Sequence, residues 1–304
     1  MTRPQLLMLC SLAAIWGASF MFIRLALPHF GPIALSGVRS LIGALALSPF
    51  LFGRVPLGYL RSHGWHLLII GLISTALPFF CLTLSTQYTS AGFASILNAL
   101  TPICSALIGF AWLGERLSPA AMLGVLLGFI GVSVMVLDRD TISSSLPLLP
   151  VLAGLVATTC YGLTGFYIRR FLQGIPSPVL SSYCQFAAAL LMLPFVFWQW
   201  PEASVPLASW VYAAMLGILC TGIAFILYFH LLAHVGVART VIVTYLVPVF
   251  ALLWGALFLG ESATPKMLAG AALILTGIGL TTRLPKSRPA VATVAPDTSR
   301  KGSA

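Results

Sequence analysis

The chain has 304 residues, of which 59% are hydrophobic and only 7% are charged. An ordinary soluble domain carries roughly 25% charged residues, so this composition excludes a normal water-facing surface and indicates an integral membrane protein. The formal net charge of +10 does not indicate a nucleic-acid partner, because the basic residues lie in loops and at the C-terminal tail rather than on one face of a folded domain.

Ten apolar segments approach the length of about 20 residues that a transmembrane helix needs. The first is as hydrophobic as a signal peptide, but it lacks a convincing cleavage site and has a later repeat partner, so we interpret it as a span. The sequence therefore predicts an all-α integral membrane protein with ten transmembrane helices. The predicted spans are 5–27, 32–52, 65–86, 91–113, 119–137, 148–167, 179–200, 210–232, 240–259 and 266–282.

The stretch 91–131 recurs near the C-terminus without a gap, and such internal repeats define an architecture. The other spans follow the same repeat with a slip of one residue, so each half holds five spans. The matched positions are Pro102 with Pro248, Gly114-Glu115 with Gly260-Glu261, Ser118-Pro119 with Thr264-Pro265, Gly124 with Gly270, Gly131 with Gly277, Trp16-Gly17 with Tyr161-Gly162, Arg24 with Arg169 and Arg39 with Gln185.

An odd number of spans in each half makes the second half enter the membrane from the opposite side, which gives two inverted five-helix repeats. We predict a first repeat over 1–137, an external linker loop over 138–147, a second repeat over 148–284 and a disordered cytoplasmic tail over 285–304. The positive-inside rule favours a cell (inner) membrane protein with both termini in the cytoplasm, because only Arg24, Arg139 and Lys266 then fall at the outer side.

The turn after the fourth predicted span has ordinary helix-end chemistry. Gly114 can end a helix in the left-handed conformation, where the absence of a Cβ removes a steric cost. Ser118 can cap the next helix, with Pro119 at its first position. The equivalent turn in the second half repeats this chemistry with Gly260 and Thr264.

Three charged residues need a separate interpretation as structural or gating residues. Glu115 and Glu261 are most simply solvated turn charges, although Glu115 could pair with Arg116 or a neighbouring helix end, and Glu261 with Lys266. Arg39 lies well inside a span, where a charge costs several kcal/mol unless it is paired or reaches the interface. We favour a scaffold role for Arg39, with helix C-terminal carbonyls as its partners, over direct substrate binding.

The pattern LNALTPICSALIGFAWLGERLSPAAMLGVLLGFIGVSVMVL, its second copy and the WGASF of the first span resemble the EamA-type transporters of the drug/metabolite transporter superfamily. The resemblance covers about residues 5–283. It implies a ten-helix carrier of small polar or amphipathic metabolites, commonly an exporter. It also implies a central cavity built largely by the first, third, fourth, sixth, eighth and ninth spans.

One polar face of the fourth span is the best candidate for the wall of such a cavity. Ser95, Asn98, Pro102 and Ser105 follow one another at three- and four-residue steps, and polar residues in lipid should face protein or water. Hydrogen bonds between helices are the alternative. The predicted substrate-cavity residues are Trp16, Phe20, Phe79, Asn98, Thr101, Pro102, Tyr161, Tyr228, Thr244, Tyr245 and Pro248.

Two aromatic residues of this set occupy equivalent repeat positions. Trp16 and Tyr161 lie too deep for an interfacial belt, so they could hold an apolar or aromatic group of a ligand between them, although ordinary packing explains each of them equally well.

A stripe of small residues on the fifth span predicts a close helix contact. Gly124, Gly128 and Gly131 lie on one face, and such residues let helices approach closely. The sequence leaves open whether this face contacts the rest of the bundle or forms a homodimer through the fifth or tenth span. The other predicted partners are the lipid bilayer and a small-molecule substrate. No cofactor or metal site is predicted, since the six cysteines lie in apolar runs without metal-ligand spacing.

We predict a transporter and not an enzyme: a secondary-active or facilitative exporter of amino acids, related amphipathic metabolites or drugs that works by alternating access around a midplane cavity. No acidic residue lies deep in a predicted span, which favours facilitated efflux, exchange, or coupling through His or substrate ionisation. Two alternatives remain, a non-transporting scaffold and an intramembrane serine hydrolase with Ser19 in a GxS element and His230 as its base.

Overall fold

The computed structural model describes residues 2–51, 57–114, 117–137, 148–236, 240 and 242–281, without the side chains of 57–62 and 113. Every regular element within these ranges is helical. Three predictions lie outside the described residues: the turn charge Glu115, the linker 138–147 and the tail 285–304.

Twelve α-helices follow one another in this part of the chain, and two π-helical segments, Leu72–Ala76 and Met215–Ile223, join α2 to α3 and α9 to α10. The α-helices are α1 (Arg3–Leu47), α2 (Leu57–Gly71), α3 (Leu77–Tyr88), α4 (Ala91–Asn98), α5 (Thr101–Leu113), α6 (Pro119–Val136), α7 (Leu148–Phe171), α8 (Ser177–Trp198), α9 (Leu207–Ala214), α10 (Ala224–Val235), α11 (Val243–Leu259) and α12 (Pro265–Thr281).

Seven helical segments of the described chain are long and apolar enough to cross a membrane. Two further apolar helices, α11 and α12, have 17 residues each. Large apolar side chains on the outside of the bundle, such as Leu126 and Phe129 on α6, are more than half exposed, which suits a lipid environment. The seven segments are Arg3–Phe50, His63–Tyr88, Ala91–Trp112, Pro119–Val136, Leu148–Phe171, Ser177–Trp198 and Leu207–Val235.

A sharp bend divides α1 into two arms, 3–30 and 32–47. At the bend Gly31 has φ of 70° and ψ of 168°, between Pro28 and Pro32. Positive φ is cheap only for glycine, and each proline removes a helical hydrogen bond. The bend therefore falls where the sequence predicts the boundary between the first and second spans.

The fourth predicted span is interrupted, which the sequence analysis did not predict. Helix α4 ends at Asn98 and α5 begins at Thr101. Between them the amide of Leu100 donates to the carbonyl of Leu97 at 3.0 Å, which is the tighter 3₁₀ pattern, and Pro102 has no N–H to continue an α-helix. The polar residues Asn98 and Thr101 consequently lie at facing helix ends rather than on one continuous helix.

Both predicted turns have the expected helix-end chemistry. Gly114 and Gly260 end α5 and α11 with the same left-handed conformation, φ of 66° and ψ of 19°. The side chain of Ser118 accepts the amide N–H three residues further on at 3.1 Å, and Thr264 accepts the equivalent N–H at 3.2 Å. The capping interpretation of these residues is confirmed.

The glycine stripe of the fifth span packs inside the bundle. A Cβ added to Gly124 would lie 2.4 Å from the carbonyl oxygen of Gly277, and one added to Gly131 would lie 2.7 Å from that of Gly270. Gly128 faces a side chain of α5 in the same way. Helices α6 and α12 therefore pack backbone to backbone, so the stripe is a contact with the rest of the bundle. A homodimer through the lipid-facing sides of these helices stays a prediction.

Candidate functional site

Six helices meet at one apolar cluster, which also includes four predicted cavity residues. Phe20 is buried in the cluster, and Trp16, Tyr161 and Tyr228 pack against it half-buried. The buried residues of the cluster come from α1, α3, α4, α7, α10 and α11. These helices belong to the first, third, fourth, sixth, eighth and ninth predicted spans, which are the six spans that the family resemblance implies for the cavity.

The aromatic rings around Trp16 come from α10. The Trp16 ring lies 5.5 Å from that of Tyr228 and 6.4 Å from that of Phe225, measured between centroids. Tyr161 packs against the same cluster from α7. The structure thus brings the two equivalent residues Trp16 and Tyr161 to one core.

The interruption between α4 and α5 leaves a polar atom without a partner. Asn98 Oδ1 is buried and has no hydrogen-bond partner among the described residues, whereas the Asn98 carbonyl accepts a bond of 2.8 Å from the Thr101 hydroxyl. A buried unpaired acceptor costs about 1–3 kcal/mol, and native proteins keep few of them. Ser95, one turn earlier, is instead satisfied by the carbonyl of Gly92 at 2.7 Å.

The ninth predicted span reaches the same region through Tyr245. This residue packs against the apolar cluster that contains Leu97 and Leu100, on either side of the interruption. Thr244 is its neighbour on α11, and Pro248 is buried within that helix. The predicted fourth-span and ninth-span residues therefore lie on elements that contact one another.

Arg39 is buried among side chains of three other elements. Its guanidinium carbon lies 3.8 Å from the centre of the Phe79 ring, and its Nε donates to Thr221 Oγ1 at 3.3 Å. The neutral side chains of Tyr161 and Cys220 also lie near it. The expectation of helix C-terminal carbonyls as its partners is wrong, because the hydrogen-bond acceptor is a side-chain hydroxyl. Within the described residues Arg39 has no acidic partner.

Thr221 bonds to Arg39, and Gln185 lies beside Gly43, one turn from Arg39. The sequence analysis assigned neither of them to a site. Thr221 lies in the π-helical segment Met215–Ile223, and such segments are frequent at functional sites. Gln185 is 1% exposed, and its Oε1 has no partner among the described residues. A Cβ added to Gly43, one turn from Arg39, would lie 3.3 Å from Thr221 Cβ and 3.4 Å from Gln185 Oε1. The internal repeat was an indication from which Gln185 could have been found, because it pairs Gln185 with Arg39.

Glu261 joins three elements at one end of the bundle. Both of its carboxylate oxygens accept the amide N–H of Ala91, at 3.0 and 2.9 Å, and Oε1 lies 3.5 Å from Arg24 Nε. Arg24 in turn donates to the carbonyl of Thr86 at 3.2 Å. The predicted pair of Glu261 with Lys266 is therefore wrong. A carboxylate at the first amide of α4 also interacts favourably with the helix dipole.

A cavity of about 470 Å³ opens beside this ion pair. Its volume lies in the range of about 300–1,000 Å³ that is usual for small-molecule sites. Its wall carries a cation, a carboxylate and a carboxamide. The lining residues are Arg24, Leu27, Pro28, Gly31, Gln87, Leu259 and Glu261.

The side chains proposed for a serine hydrolase do not form a nucleophile–base pair. The Ser19 hydroxyl donates to the carbonyl of Trp16 at 2.6 Å. His230 is exposed and stacks on His234, with 4.1 Å between ring centroids. A serine nucleophile requires a base within hydrogen-bond reach, so this geometry gives no support to that alternative.

Two stretches of the chain, residues 3–137 and 148–283, match the EamA-like transporter family. The chain belongs to this family. Its proteins, as the name says, are transporters, so this chain is a multi-pass membrane protein of a transporter family.

Similar proteins are also named as transporters. A probable terminal-alkyne amino-acid exporter of Streptantibioticus cattleyicolor is 28% identical over 88% of this chain and 90% of its own length. A probable amino-acid metabolite efflux pump of Salmonella typhimurium is 25% identical over 91% and 94%. The uncharacterized transporter YvbV of Bacillus subtilis is 24% identical over 96% and 95%.

The fold also matches a solved structure. A crystal structure of another protein aligns with 93% of this chain and 97% of its own, with a TM-score of 0.62 at 20% sequence identity. At this identity the likeness concerns the fold alone.

Proposed function

We propose that this EamA-family protein is a secondary-active or facilitative transporter that exports small metabolites, with amino acids, related amphipathic metabolites and drugs as the candidate classes. The observation that carries the proposal is the meeting of six helices at one apolar cluster. Near it, and counting only partners among the described residues, Arg39 has no carboxylate and Asn98 Oδ1 has no hydrogen-bond donor. The names of the two amino-acid exporters among the similar proteins support the substrate class.

The proposed architecture has ten spans. A segment of 48 residues such as Arg3–Phe50 would be about 72 Å long as one helix, against roughly 30 Å for the hydrocarbon core. We therefore propose that it crosses the membrane twice and turns at Gly31. With the six other long segments and the two shorter helices α11 and α12, this gives ten spans.

Reciprocal contacts support the inverted repeat. In the repeat, Gly124 is equivalent to Gly270 and Gly131 is equivalent to Gly277. A two-fold arrangement that contains the contact of Gly124 with Gly277 must therefore also contain the contact of Gly270 with Gly131. The structure contains both contacts. A second pair of contacts behaves in the same way. A Cβ on Gly17 would meet Phe250 and Ala251, and one on its repeat partner Gly162 would meet Cys104 and Ser105, which the repeat places at the equivalent positions.

The proposed mechanism is alternating access by rocking of the two halves. With both termini in the cytoplasm, the contacts of Glu261 with Arg24 and Ala91 lie at the outer end, because all three residues border the turns after the first, third and ninth spans. These contacts hold the outer ends of α1, α4 and α11 together. Release of a solute to the outside then requires the Glu261 contacts to open.

Flux measurements test the proposed function. Purified protein is reconstituted into liposomes, and efflux of a labelled metabolite library that includes the standard amino acids is compared with that from empty liposomes. We expect at least one amino acid or amphipathic metabolite to move faster through protein-containing vesicles. If no solute moves above the empty-liposome rate although the protein is folded, the transporter proposal is wrong and the scaffold alternative gains support.

A further inference from the structure

Arg39 is a buried positive charge without an acidic partner among the described residues. It is 7% exposed, and within the described part of the chain its partners are a neutral hydroxyl, Thr221, and a neutral ring, Phe79. Burial of a cation is costly unless an anion or a full set of hydrogen bonds compensates for it. An ionisable residue in this setting indicates a functional site.

Most N–H groups of the guanidinium have no hydrogen-bond partner among the described residues. It carries five N–H groups in a rigid planar fork, and only the Nε–H is bonded to another described residue. The four N–H groups on the two Nη atoms remain. This fork matches the two oxygens of a carboxylate, which it binds with two parallel hydrogen bonds.

Gln185 supplies a second, independent observation. Gln185 is 1% exposed, and its Oε1 has no partner in the described part of the chain. It lies beside Thr221 and Gly43, and Gly43 is one turn from Arg39 on α1. A carboxamide oxygen accepts hydrogen bonds from an ammonium group. The repeat thus puts a charged donor, Arg39, and a neutral acceptor, Gln185, at equivalent positions of the two halves. Together they complement a solute that has a carboxylate at one end and an ammonium group at the other.

We propose that Arg39 binds the carboxylate of the transported solute and that Gln185 Oε1 accepts a hydrogen bond from its ammonium group. The transport site therefore selects small zwitterions, α-amino acids above all, with Phe79 and Tyr161 beside the solute's side chain. This inference rests on the proposed transport function and adds to it the residues that recognise the substrate class.

Paired probes test the role of Arg39. Flux of L-phenylalanine, L-leucine and L-threonine is compared with flux of their α-amides, which keep the ammonium group but lack the carboxylate. We expect the wild-type protein to favour the acids by at least about tenfold. In Arg39→Gln the preference should be lost through slower flux of the acids, and Arg39→Lys, which keeps the charge but not the fork, should lie between the two. Arg3→Gln, an exposed arginine, is the matched control with an unchanged ratio.

The ratio of acid flux to amide flux distinguishes substrate recognition by Arg39 from a structural role. If Arg39 only supports the fold, Arg39→Gln lowers the flux of acids and amides alike, and the inference is overturned. The same conclusion follows if the wild-type protein exports library metabolites that lack a carboxylate but none of the three acids, in which case the transport function stands. The absence of flux for every solute is the separate outcome that ends both proposals.

A second variant covers the case in which Arg39→Gln does not fold. Gln185→Leu keeps the guanidinium and removes the proposed acceptor. We expect it to raise the KM for L-phenylalanine by about tenfold and to leave the KM for N-acetyl-L-phenylalanine, which has no ammonium group, within about twofold. An equal rise for both solutes contradicts the assignment of Gln185.

Discussion

At the scale of single residues, Glu261 is a charged turn residue that connects distant parts of the chain. Its sequence neighbour Lys266 is exposed on the first turn of α12, whereas its actual partners, Arg24 and the amide of Ala91, come from distant parts of the chain. The amide at the start of a helix carries a partial positive charge and is as good a partner for a carboxylate as a lysine in water. Gly255 makes room for this arrangement, because a Cβ there would lie 2.7 Å from Glu261 Oε2.

Neutralising Glu261 should loosen this end of the bundle. Glu261→Gln keeps the shape of the side chain but removes the charge that both Ala91 and Arg24 contact, so we expect a loss of about 1–3 kcal/mol in the free energy of unfolding. Thermal unfolding of the purified protein in detergent measures the change. Glu202→Gln, at an exposed acid, is the control and should leave the melting temperature unchanged. Equal melting temperatures for the two variants would contradict the structural role of Glu261.

Replacement of Asn98 should separate transport from stability. Because Asn98 Oδ1 is buried and has no partner among the described residues, Asn98→Leu removes an unpaired acceptor. We expect equal or higher thermal stability together with at least about tenfold slower amino-acid flux. Ser95→Ala removes a hydroxyl that is already bonded within α4 and should leave the flux nearly unchanged. Normal flux through Asn98→Leu would remove Asn98 from the cavity.

Sequence reasoning succeeded at this scale where the chemistry is local. The left-handed Gly114 and Gly260 and the capping side chains Ser118 and Thr264 depend on neighbours within a few residues. The partner of Glu261 could not be predicted in that way, since it depends on how remote helices pack. The partners of Arg39 could not be predicted for the same reason.

At the scale of elements, helix bends and interruptions decide where polar groups lie. The bend at Gly31 was predictable in position because a glycine lies next to Pro32, with Pro28 one turn earlier. The interruption at Ala99–Leu100 was not, since a proline at this place does not by itself break the helix: the equivalent Pro248 lies inside the continuous helix α11. The glycine stripe indicated a close contact, but only the packed structure identifies α12 as the partner of α6.

A single methyl group should disturb the packing of α6 against α12. In Gly124→Ala the new Cβ would lie 2.4 Å from a backbone oxygen, which cannot rotate away, so we expect a loss of about 1–3 kcal/mol and a lower melting temperature in detergent. Gly279→Ala on α12 is the matched control, because a Cβ there meets nothing within 4 Å. If both variants melt alike, the backbone contact does not limit stability.

At the scale of the whole molecule, the predicted orientation in the membrane rests on the positions of Lys and Arg in the sequence, so it needs no packed structure. The proposed number of crossings does need one. It depends on the bend in α1 and on α11 and α12, which are shorter than a usual span. The crossing number and the orientation together determine on which side each turn lies.

Reporter fusions check that orientation. Alkaline phosphatase, which is active only outside the cytoplasm, should be active when fused after Ser144 and inactive when fused after Ala304, and green fluorescent protein, which matures inside, should give the reverse. The expected contrast is at least about tenfold in enzyme activity, since the charge bias of the loops is strong. Equal phosphatase activity at the two positions would contradict an odd number of spans in the second half, which lies between them.

The contact between α6 and α12 is self-complementary. Gly124 of one helix meets Gly277 of the other, and Gly131 meets Gly270, so each helix presents the surface that an inverted copy of itself requires. Such a surface is isologous in the sense used for two-fold dimers, although here one polypeptide supplies both sides. In the proposed inverted repeat, each five-helix half therefore has a contact surface for an oppositely inserted copy of itself, and the covalent linkage of the two halves in one chain fixes their ratio at one to one.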